Sequence, residues 1–263
     1  MTDRNALKAC CAAAYSSDIV ALLLGDSYHP GGTALTRHLA DGLQLDKGHR
    51  VLDVACGRGT TALLLADGYG VRVDGVDYSP ANTAHARDTA RAAGLAGRAE
   101  FVTGDAERLP HPDGVFDAVV CECALCTFPD KARAAAEFAR VLAPGGRLGI
   151  TDVTAVPDRL PPELTTLAAH IACVADARPL AAYERLITAA SLRTVRAERH
   201  DRALTGIIDR IEARLALLRM TNPALAADPA LNPETARPVL AAARAAIADG
   251  TLGYALLIAE KSR

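Results

Sequence analysis

The chain has 263 residues, a formal net charge of −2 and a hydrophobic fraction of 50%. This length predicts one α/β domain with elaborations, and the apolar content excludes a wholly disordered chain. The balance of 29 basic against 31 acidic side chains excludes a nucleic-acid binder that works by counterion release.

The predicted elements divide the chain into three parts. Residues 1–48 are predicted to form a helical N-terminal cap, interrupted by a turn-rich segment at residues 25–32. Residues 49–153 alternate short β-rich runs with helical stretches, which is typical of a parallel sheet with right-handed crossovers. Residues 154–263 are predicted to form a mainly helical insertion and a closing strand.

The strands of the middle part are predicted by short runs of buried residue types: Val51–Val54, Val71–Val76, Phe101–Thr103, Phe116–Cys121 and Arg147–Thr151. Ser79, followed by Pro80, predicts the start of one helix. Asp130 predicts the cap of another helix, which should end before the Pro144-Gly145-Gly146 segment. In the C-terminal part, four prolines predict a loop-rich connection before the last helix: Pro223, Pro229, Pro233 and Pro238.

The turn Gly57-Arg58-Gly59 follows the first predicted strand and opens a helix. Alone, this pattern fits a dinucleotide fingerprint or an ordinary strand-to-helix turn. Asp53 lies four residues before the first glycine, where its carboxylate would repel a pyrophosphate. The sulfonium and ammonium groups of S-adenosylmethionine would instead be attracted to this acid.

Two further acids follow the next two strands. Asp77 lies 20 residues after Gly57, an offset that suits a carboxylate accepting hydrogen bonds from ribose hydroxyls. Asp105 follows the third strand and could meet an adenine amino group. An acid at any one of these positions alone is more often a helix cap or a surface residue. Together they predict a cofactor site at the carboxyl ends of the strands.

These motifs resemble those of the class I S-adenosylmethionine-dependent methyltransferases over residues 51–59, 75–79, 104–106, 116–120 and 141–146. The resemblance implies S-adenosyl-L-methionine as cofactor and a small-molecule methyl acceptor. It also implies a Rossmann-like, seven-stranded, mostly parallel α/β sheet with helices on both faces, completed by an antiparallel pair at 193–199 and 253–260. The cofactor contacts that it implies are Asp53, Ala55, Gly57, Gly59, Asp77, Tyr78, Asp105, Ala106 and Cys121.

Three cysteines crowd into six residues after the fourth strand, at Cys121, Cys123 and Cys126. They could be small buried hydrophobic residues, or with Cys173 they could bind zinc. A third alternative is a soft acceptor such as trivalent arsenic, which thiolates select. With seven cysteines in all, an odd number, a disulfide framework is not expected, and reduced thiols predict a cytoplasmic protein.

The cysteine segment is similar to that of arsenite methyltransferases, in which a cysteine after the fourth strand precedes Pro-Asp-Lys. Here Cys123 is followed by Pro129-Asp130-Lys131, and Cys173 lies where that family has its second cysteine. The resemblance implies that Cys123 and Cys173 hold arsenic, while Cys10-Cys11 could reach the same site. Glu122 stands where that family has asparagine.

Glu122 could instead act as a general base for a hydroxyl or amine acceptor, if burial raises its pKa. The alternative role is a strand-end carboxylate bound to backbone N–H groups. In the N-terminal cap, Tyr15, Tyr28 and His29 could close over the cofactor, and the His29 ring titrates near neutral pH. No role is predicted for His111 or His200.

The leading hypothesis is therefore an S-adenosylmethionine-dependent methyltransferase of a small molecule, with thiol-bound trivalent arsenic as its more specific version. The rival within enzymes is an O-, N- or C-methyltransferase of a natural product. A metal-thiolate sensor is the hypothesis from another class. The complete set of Asp53, Gly57, Gly59 and Asp77 argues against a sensor, because a sensor has no use for a methyl donor.

Apolar runs such as 19–24 are far shorter than the roughly 20 residues of a membrane span, and the N-terminus has no signal-peptide core, so no membrane partner is expected.

Overall fold

The computed structural model of the chain describes residues 4–25, 27–166, 173–222 and 233–263. Its strands are β1 (Arg50–Val54), β2 (Arg72–Asp77), β3 (Ala99–Thr103), β4 (Phe116–Glu122), β5 (Leu142–Ala155), β6 (Leu192–Arg199) and β7 (Leu252–Lys261). They form one sheet in the order β3-β2-β1-β4-β5-β7-β6. The first five strands pair in parallel, and β7 is antiparallel to both β5 and β6. The predicted seven-stranded, mostly parallel sheet is confirmed.

Helices precede the sheet, connect its strands and follow it. Their bounds are α1 (Arg4–Ser16), α2 (Asp18–Leu24), α3 (Gly32–Leu43), α4 (Thr60–Gly68), α5 (Pro80–Ala92), α6 (Lys131–Val141), α7 (Leu180–Ala189), α8 (Asp201–Thr221) and α9 (Pro233–Ala248). Both predicted caps form, because Ser79 Oγ accepts from Asn82 N at 3.3 Å and Asp130 Oδ1 accepts from Arg133 N at 3.0 Å. Across the described ranges, no helix is both long and apolar enough to cross a membrane.

Two apolar cores lie on opposite faces of the sheet. Consecutive residues of β1 alternate between them: Val51 packs with Leu39 in one core, whereas Leu52 packs with Phe138 in the other. This alternation follows from the extended backbone, which points neighbouring side chains to opposite faces. Strands covered on both faces read as continuous apolar runs, which is why the middle part of the sheet was predictable.

Two predicted boundaries were wrong. β5 starts at Leu142, five residues before the predicted start, because the Pro144-Gly145-Gly146 segment continues the strand through an irregularity in its register with β4. In the C-terminal part, Pro233 begins α9 and Pro238 lies inside that helix rather than in a loop. A first-turn proline fits a helix, since the N–H that it lacks has no partner there. The predictions for Pro223 and Pro229 lie outside the described residues.

The sheet also decides where a ligand can bind. β1 pairs with β2 on one side and with β4 on the other, so the chain runs in opposite directions across the sheet from this point. At such a switch point the connecting loops separate and leave a crevice at the carboxyl ends of the strands. The glycine turn after β1 and the segment after β4 border this crevice.

Candidate active site

A cavity of about 620 Å³ opens at the carboxyl ends of β1 to β4. Most of the predicted cofactor residues line it: Asp53, Ala55, Gly57, Asp77, Tyr78, Asp105 and Ala106. Gly59 and Cys121 do not. The opposite wall comes from the N-terminal helices and the loop before α3, so the cavity is closed by elements far apart in sequence.

Asp53 is the most deeply buried acid of the cavity, with 2% of its surface exposed. Its Oδ2 atom is buried and has no hydrogen-bond partner among the described residues. Burial, and then the charge of Glu122, raise the pKa of Asp53 well above its usual value. An unpartnered carboxylate oxygen in a low-dielectric cavity is a binding position for a cationic group of a ligand.

Asp77 is oriented by backbone and side-chain donors from two elements. Its Oδ2 accepts from Gly57 N at 2.9 Å, and its Oδ1 accepts from Ser79 N at 2.8 Å and from Asn82 Nδ2 at 3.2 Å. Burial raises the pKa of Asp77, whereas these hydrogen bonds lower it. The carboxylate thus joins the glycine turn to the start of α5 and lies at the cavity wall.

The two glycines of the turn have different roles. Gly57 has φ +54°, and a Cβ built there would meet nothing within 4 Å, so its backbone faces open cavity. Gly59 has φ +87°, and its Cβ would lie 2.9 Å from Ala86 Cβ and 3.1 Å from Phe101 Cζ. Gly59 thus does not line the cavity, and its lack of a side chain lets the start of α4 pack against α5 and β3.

Asp105 is engaged by a residue that sequence reasoning missed. Lys8 of α1 donates to Asp105 Oδ2 at 2.8 Å and also pairs with Glu107. Burial lowers the pKa of Lys8, but the hydrogen bonds and charges of the two acids outweigh it and raise the pKa overall. These ion pairs hold α1 over the cavity. No local pattern could reveal them, because 97 residues separate Lys8 from Asp105.

Glu122, at the end of β4, is the centre of a buried polar network. Its Oε2 accepts from Thr61 Oγ1 at 2.7 Å and Thr36 Oγ1 at 3.0 Å, and its Oε1 accepts from Thr151 Oγ1 at 3.3 Å. His29 Nε2 lies 3.5 Å from Glu122 Oε2. Because both oxygens already accept hydrogen bonds, Glu122 is better placed to orient His29 than to take a proton from an acceptor. None of the three threonines was predicted as a site residue.

The His29 ring is held at both of its nitrogens. Its Nδ1 lies 3.2 Å from Pro30 O, and because a carbonyl oxygen can only accept, Nδ1 donates to it. Nε2 lies 3.2 Å from Thr36 Oγ1, the hydroxyl that donates to Glu122 Oε2. The cavity therefore contains an imidazole whose Nε2 lies beside a carboxylate.

Cys123 and Cys173 come together, as the sequence predicted, but only one of them reaches the cavity. Cys123 lines it, whereas Cys173 lies behind it with 2% exposure and donates through Sγ to Cys123 O at 3.2 Å. Both have a left-handed backbone, with φ of 54° and 66°. A side-chain hydrogen bond with the Cys173 thiol, followed by burial, raises the pKa of the Cys123 thiol well above its usual value.

The other cysteines correct the sequence interpretation. Cys121 is fully buried in the apolar core with Leu52, so its predicted cofactor contact was wrong. No three thiols in the described part of the chain have donor atoms within 4.8 Å of one another, which contradicts the zinc alternative. In α1, Cys11 lines the cavity and burial raises its pKa to about 11, whereas Cys10 is exposed.

The remaining wall, near His29, carries aromatic and hydroxyl groups. Tyr15 and Tyr28 line the cavity with ring centroids 6.3 Å apart. The buried atoms Tyr28 Oη and Ser27 Oγ have no hydrogen-bond partner within the described ranges. Buried hydroxyls without partners are rare in folded proteins. This end of the cavity therefore offers hydrogen bonds to a polar ligand on a largely apolar surface.

Residues 51–146 match the family described as methyltransferase domain. Among curated proteins, the chain is 36% identical to 27-O-demethylrifamycin SV methyltransferase of Amycolatopsis mediterranei over 153 residues, which are 54% of this chain and 56% of that protein. The chain spans about half the length of the curated relatives it matches.

Solved structures extend the similarity over most of the chain. A sarcosine dimethylglycine methyltransferase from Galdieria sulphuraria, described as putative, has a TM-score of 0.84 at 20% identity and covers 95% of this chain and 98% of that one. The [4+2]-cyclase SpnF has a TM-score of 0.69 at 30% identity and covers 87% of this chain and 80% of that one. At 20% identity the first match establishes the fold.

Proposed function

Because the chain belongs to the class I S-adenosylmethionine-dependent methyltransferase family, we propose that it transfers a methyl group from this cofactor to a hydroxyl group of a small molecule. The observation that carries the proposal is that His29, paired with Glu122, opens on the same cavity as Asp53 and Asp77. One cavity thus contains both the imidazole that would accept a proton and the acids that would bind the cofactor.

The residues of the cofactor half fit S-adenosylmethionine group by group. The unpartnered Oδ2 of Asp53 would take the ammonium group, and Asp77 would take the ribose hydroxyls. Asp105 and Ala106 would border the adenine, and the open space at Gly57 would admit the cofactor close to the backbone. When bound, the cofactor supplies an electrophilic methyl group.

The chain's own residues would prepare the acceptor. In its neutral form with the proton on Nδ1, His29 would accept the hydroxyl proton at Nε2 as the oxygen attacks the methyl carbon. The imidazolium so formed would be stabilised by the Glu122 carboxylate 3.5 Å away. α1, Tyr15 and Tyr28 would exclude water from the reacting atoms. The relative from Amycolatopsis mediterranei is named for an O-methylation, which supports an oxygen acceptor.

Thiol-bound trivalent arsenic is the second candidate acceptor, favoured by the contact between Cys123 and Cys173. It has less support, because the pKa of the Cys123 thiol is raised well above its usual value and Cys173 does not line the cavity. Among the described residues, no third thiol lies close enough to supply the third sulfur ligand of a three-coordinate arsenic. The cysteines are better explained as the packed wall of the acceptor half.

The test is turnover with a panel of phenols, sugar alcohols and macrolide alcohols, followed as S-adenosylhomocysteine release and as the mass of the methylated product. His29→Gln should lower kcat by roughly 10²- to 10⁴-fold, the usual contribution of a general base, while cofactor affinity stays unchanged. Cys123→Ser should remain active. Arsenite with excess thiol serves as a parallel substrate.

Each outcome separates the alternatives. A fully active His29→Gln enzyme would contradict the proposed base. Arsenite methylation that disappears in Cys123→Ser would establish the second candidate instead. Conversion of a substrate without S-adenosylhomocysteine release would place the chain with relatives such as the [4+2]-cyclase, in which case methyl transfer is rejected.

A further inference from the structure

Outside the cavity, three metal-ligating side chains converge from three positions in the fold. His38 lies on α3, Glu198 lies near the end of β6, and His200 directly precedes α8. Their donor atoms all lie within 4.8 Å of one another, and this is the only such group of three that the described residues contain. None of them lines the cavity.

We propose that His38, Glu198 and His200 form a binding site for a divalent transition-metal ion, with zinc as the first candidate. Two imidazoles and one carboxylate are a ligand set that zinc accepts in proteins. The three side chains keep 41%, 30% and 26% of their surface exposed. An ion held by them could therefore take water or another small ligand at its remaining positions.

The distances fit an ion with little rearrangement. His38 Nε2 and His200 Nε2 lie 2.9 Å and 3.0 Å from Glu198 Oε2. With bonds of about 2.0–2.2 Å to zinc, neighbouring ligand atoms of a tetrahedron are about 3.4 Å apart. Displacements of the ligand atoms by a few tenths of an ångström would therefore open the space that the ion needs.

The hydrogen bonding at His38 supplies a second, independent observation. Its Nε2 lies 2.9 Å from Glu198 Oε2, an acceptor, and also 3.0 Å from Arg196 NH2, a donor. A proton on His38 Nε2 can be donated to Glu198 but repels the N–H donor of Arg196. A lone pair on Nε2 accepts from Arg196 but repels the Glu198 carboxylate. A divalent cation bound to the lone pair would attract the Glu198 carboxylate and would displace the competing Arg196 guanidinium.

The scaffold holds the three ligands in place. The backbone N–H of His200 donates to Tyr254 O of β7 at 2.7 Å. α3 lies close to the same strand, since a Cβ at Gly42 would come within 2.1 Å of Ile258 Cδ1. Ligands on rigid elements keep a site preformed. Arg196 Nε, which lies 2.5 Å from Glu198 Oε1, can orient the carboxylate from behind.

A metal here would fasten α3 to the outer strands of the sheet. α3 carries Thr36, which contacts Glu122 and His29 in the cavity, and the loop before it carries His29 itself. The ion would act as a structural clip between these elements. It would stabilise the folded state by mass action, since the unfolded chain holds no preformed site.

The test uses the untagged full chain, stripped of metal and titrated with ZnCl₂ by calorimetry and with CoCl₂ by visible absorption. We expect one ion per chain, a rise in Tm with added ZnCl₂, and Co²⁺ bands of a site with nitrogen ligands. His38→Gln and His200→Gln should each weaken binding by about 100-fold or more, because even an outer-layer partner contributes about 10- to 100-fold. His49→Gln, at a half-buried histidine outside the cluster, is the matched control.

Arg196→Met separates a metal site from a simple ion-pair cluster. Removing the competing guanidinium should tighten Zn²⁺ binding by roughly threefold or more, as expected for one exposed charge contact. The proposal is overturned if the wild-type chain binds no Zn²⁺ or Co²⁺ at 1:1 up to a roughly millimolar concentration, the weak end of specific affinities. It is equally overturned if both histidine variants, folded by circular dichroism, bind as tightly as His49→Gln.

Discussion

We propose that a ligand, rather than the fold alone, accounts for the buried position of Asp53. One of its carboxylate oxygens has no hydrogen-bond partner within the described part of the chain, and burial followed by the charge of Glu122 raises its pKa well above the usual value. The folded protein therefore binds a proton at Asp53 that the unfolded chain releases near pH 4. Stability falls as pH rises from this value towards the folded pKa, because the folded state then holds more protons than the unfolded state.

Replacing Asp53 by Asn should therefore stabilise the protein in the absence of cofactor. We expect a higher Tm than wild type at pH 8, with a difference that shrinks as the pH is lowered towards 4, because the wild-type carboxyl is then neutral as well. Cofactor affinity should fall by at least about tenfold, since a charge-assisted contact is lost. Calorimetric scans from pH 4 to 8 measure the first effect. Asp67→Asn, at an exposed acid, is the control, and equal Tm shifts in both variants would refute the role of Asp53.

At the scale of elements, we propose that the strand-to-helix turn after β1 combines a binding position, Gly57, with a packing position, Gly59. Gly57→Ala places a methyl group in the cavity and should weaken S-adenosylmethionine binding by at least about tenfold, with about 1 kcal/mol of stability lost to the left-handed backbone. Gly59→Ala should cost more stability, about 2–3 kcal/mol, because its Cβ would lie 2.9 Å from Ala86 Cβ. Urea denaturation and cofactor titration of the pair measure both effects. Identical profiles for the two variants would contradict this division.

α1 is held over the cavity by ion pairs between Lys8 and the acids Asp105 and Glu107. Lys8→Met removes these contacts and should increase the rate of limited proteolysis within α1 by roughly fivefold, which corresponds to about 1 kcal/mol of local stability. The global Tm should change little, because the two apolar cores of the sheet do not include Lys8. Lys47→Met, at an exposed lysine outside α1, should digest like wild type. An unchanged cleavage rate in Lys8→Met would show that apolar contacts alone hold α1.

At the scale of the whole molecule, the sequence predicted the features that short segments determine, namely the strands and the acids at their ends. Buried strands read as apolar runs, and the acids Asp53, Asp77 and Asp105 follow successive strands at offsets that the parallel sheet brings together. Apart from the pair Cys123 and Cys173, the sequence did not predict the contacts between distant segments. Lys8 meets Asp105 across 97 residues, and His38 meets Glu198 across 160 residues. Such pairs depend on how helices outside the sheet pack, which no short pattern encodes.

Gly59 and Cys121 show a different limit of prediction. Gly59 lies within a segment typical of the family and Cys121 directly follows another, yet Gly59 lets helices pack together and Cys121 fills the apolar core. A residue that belongs to a binding motif lies near the ligand. Whether its side chain touches the ligand depends on the direction of the Cα–Cβ bond. That direction depends on backbone φ and on the strand face, so it becomes known only when the fold is known.

The central claim is that the cavity at the carboxyl ends of β1 to β4 binds S-adenosylmethionine through Asp77 and its neighbouring acids. Isothermal titration calorimetry with wild type and Asp77→Asn tests it directly, with circular dichroism to verify that the variant is folded. We expect 1:1 binding by wild type and an affinity at least about tenfold lower in the variant, because an amide cannot accept two ribose hydroxyls as the carboxylate does. A wild-type protein that binds no S-adenosylmethionine, or a folded variant with unchanged affinity, would contradict the claim.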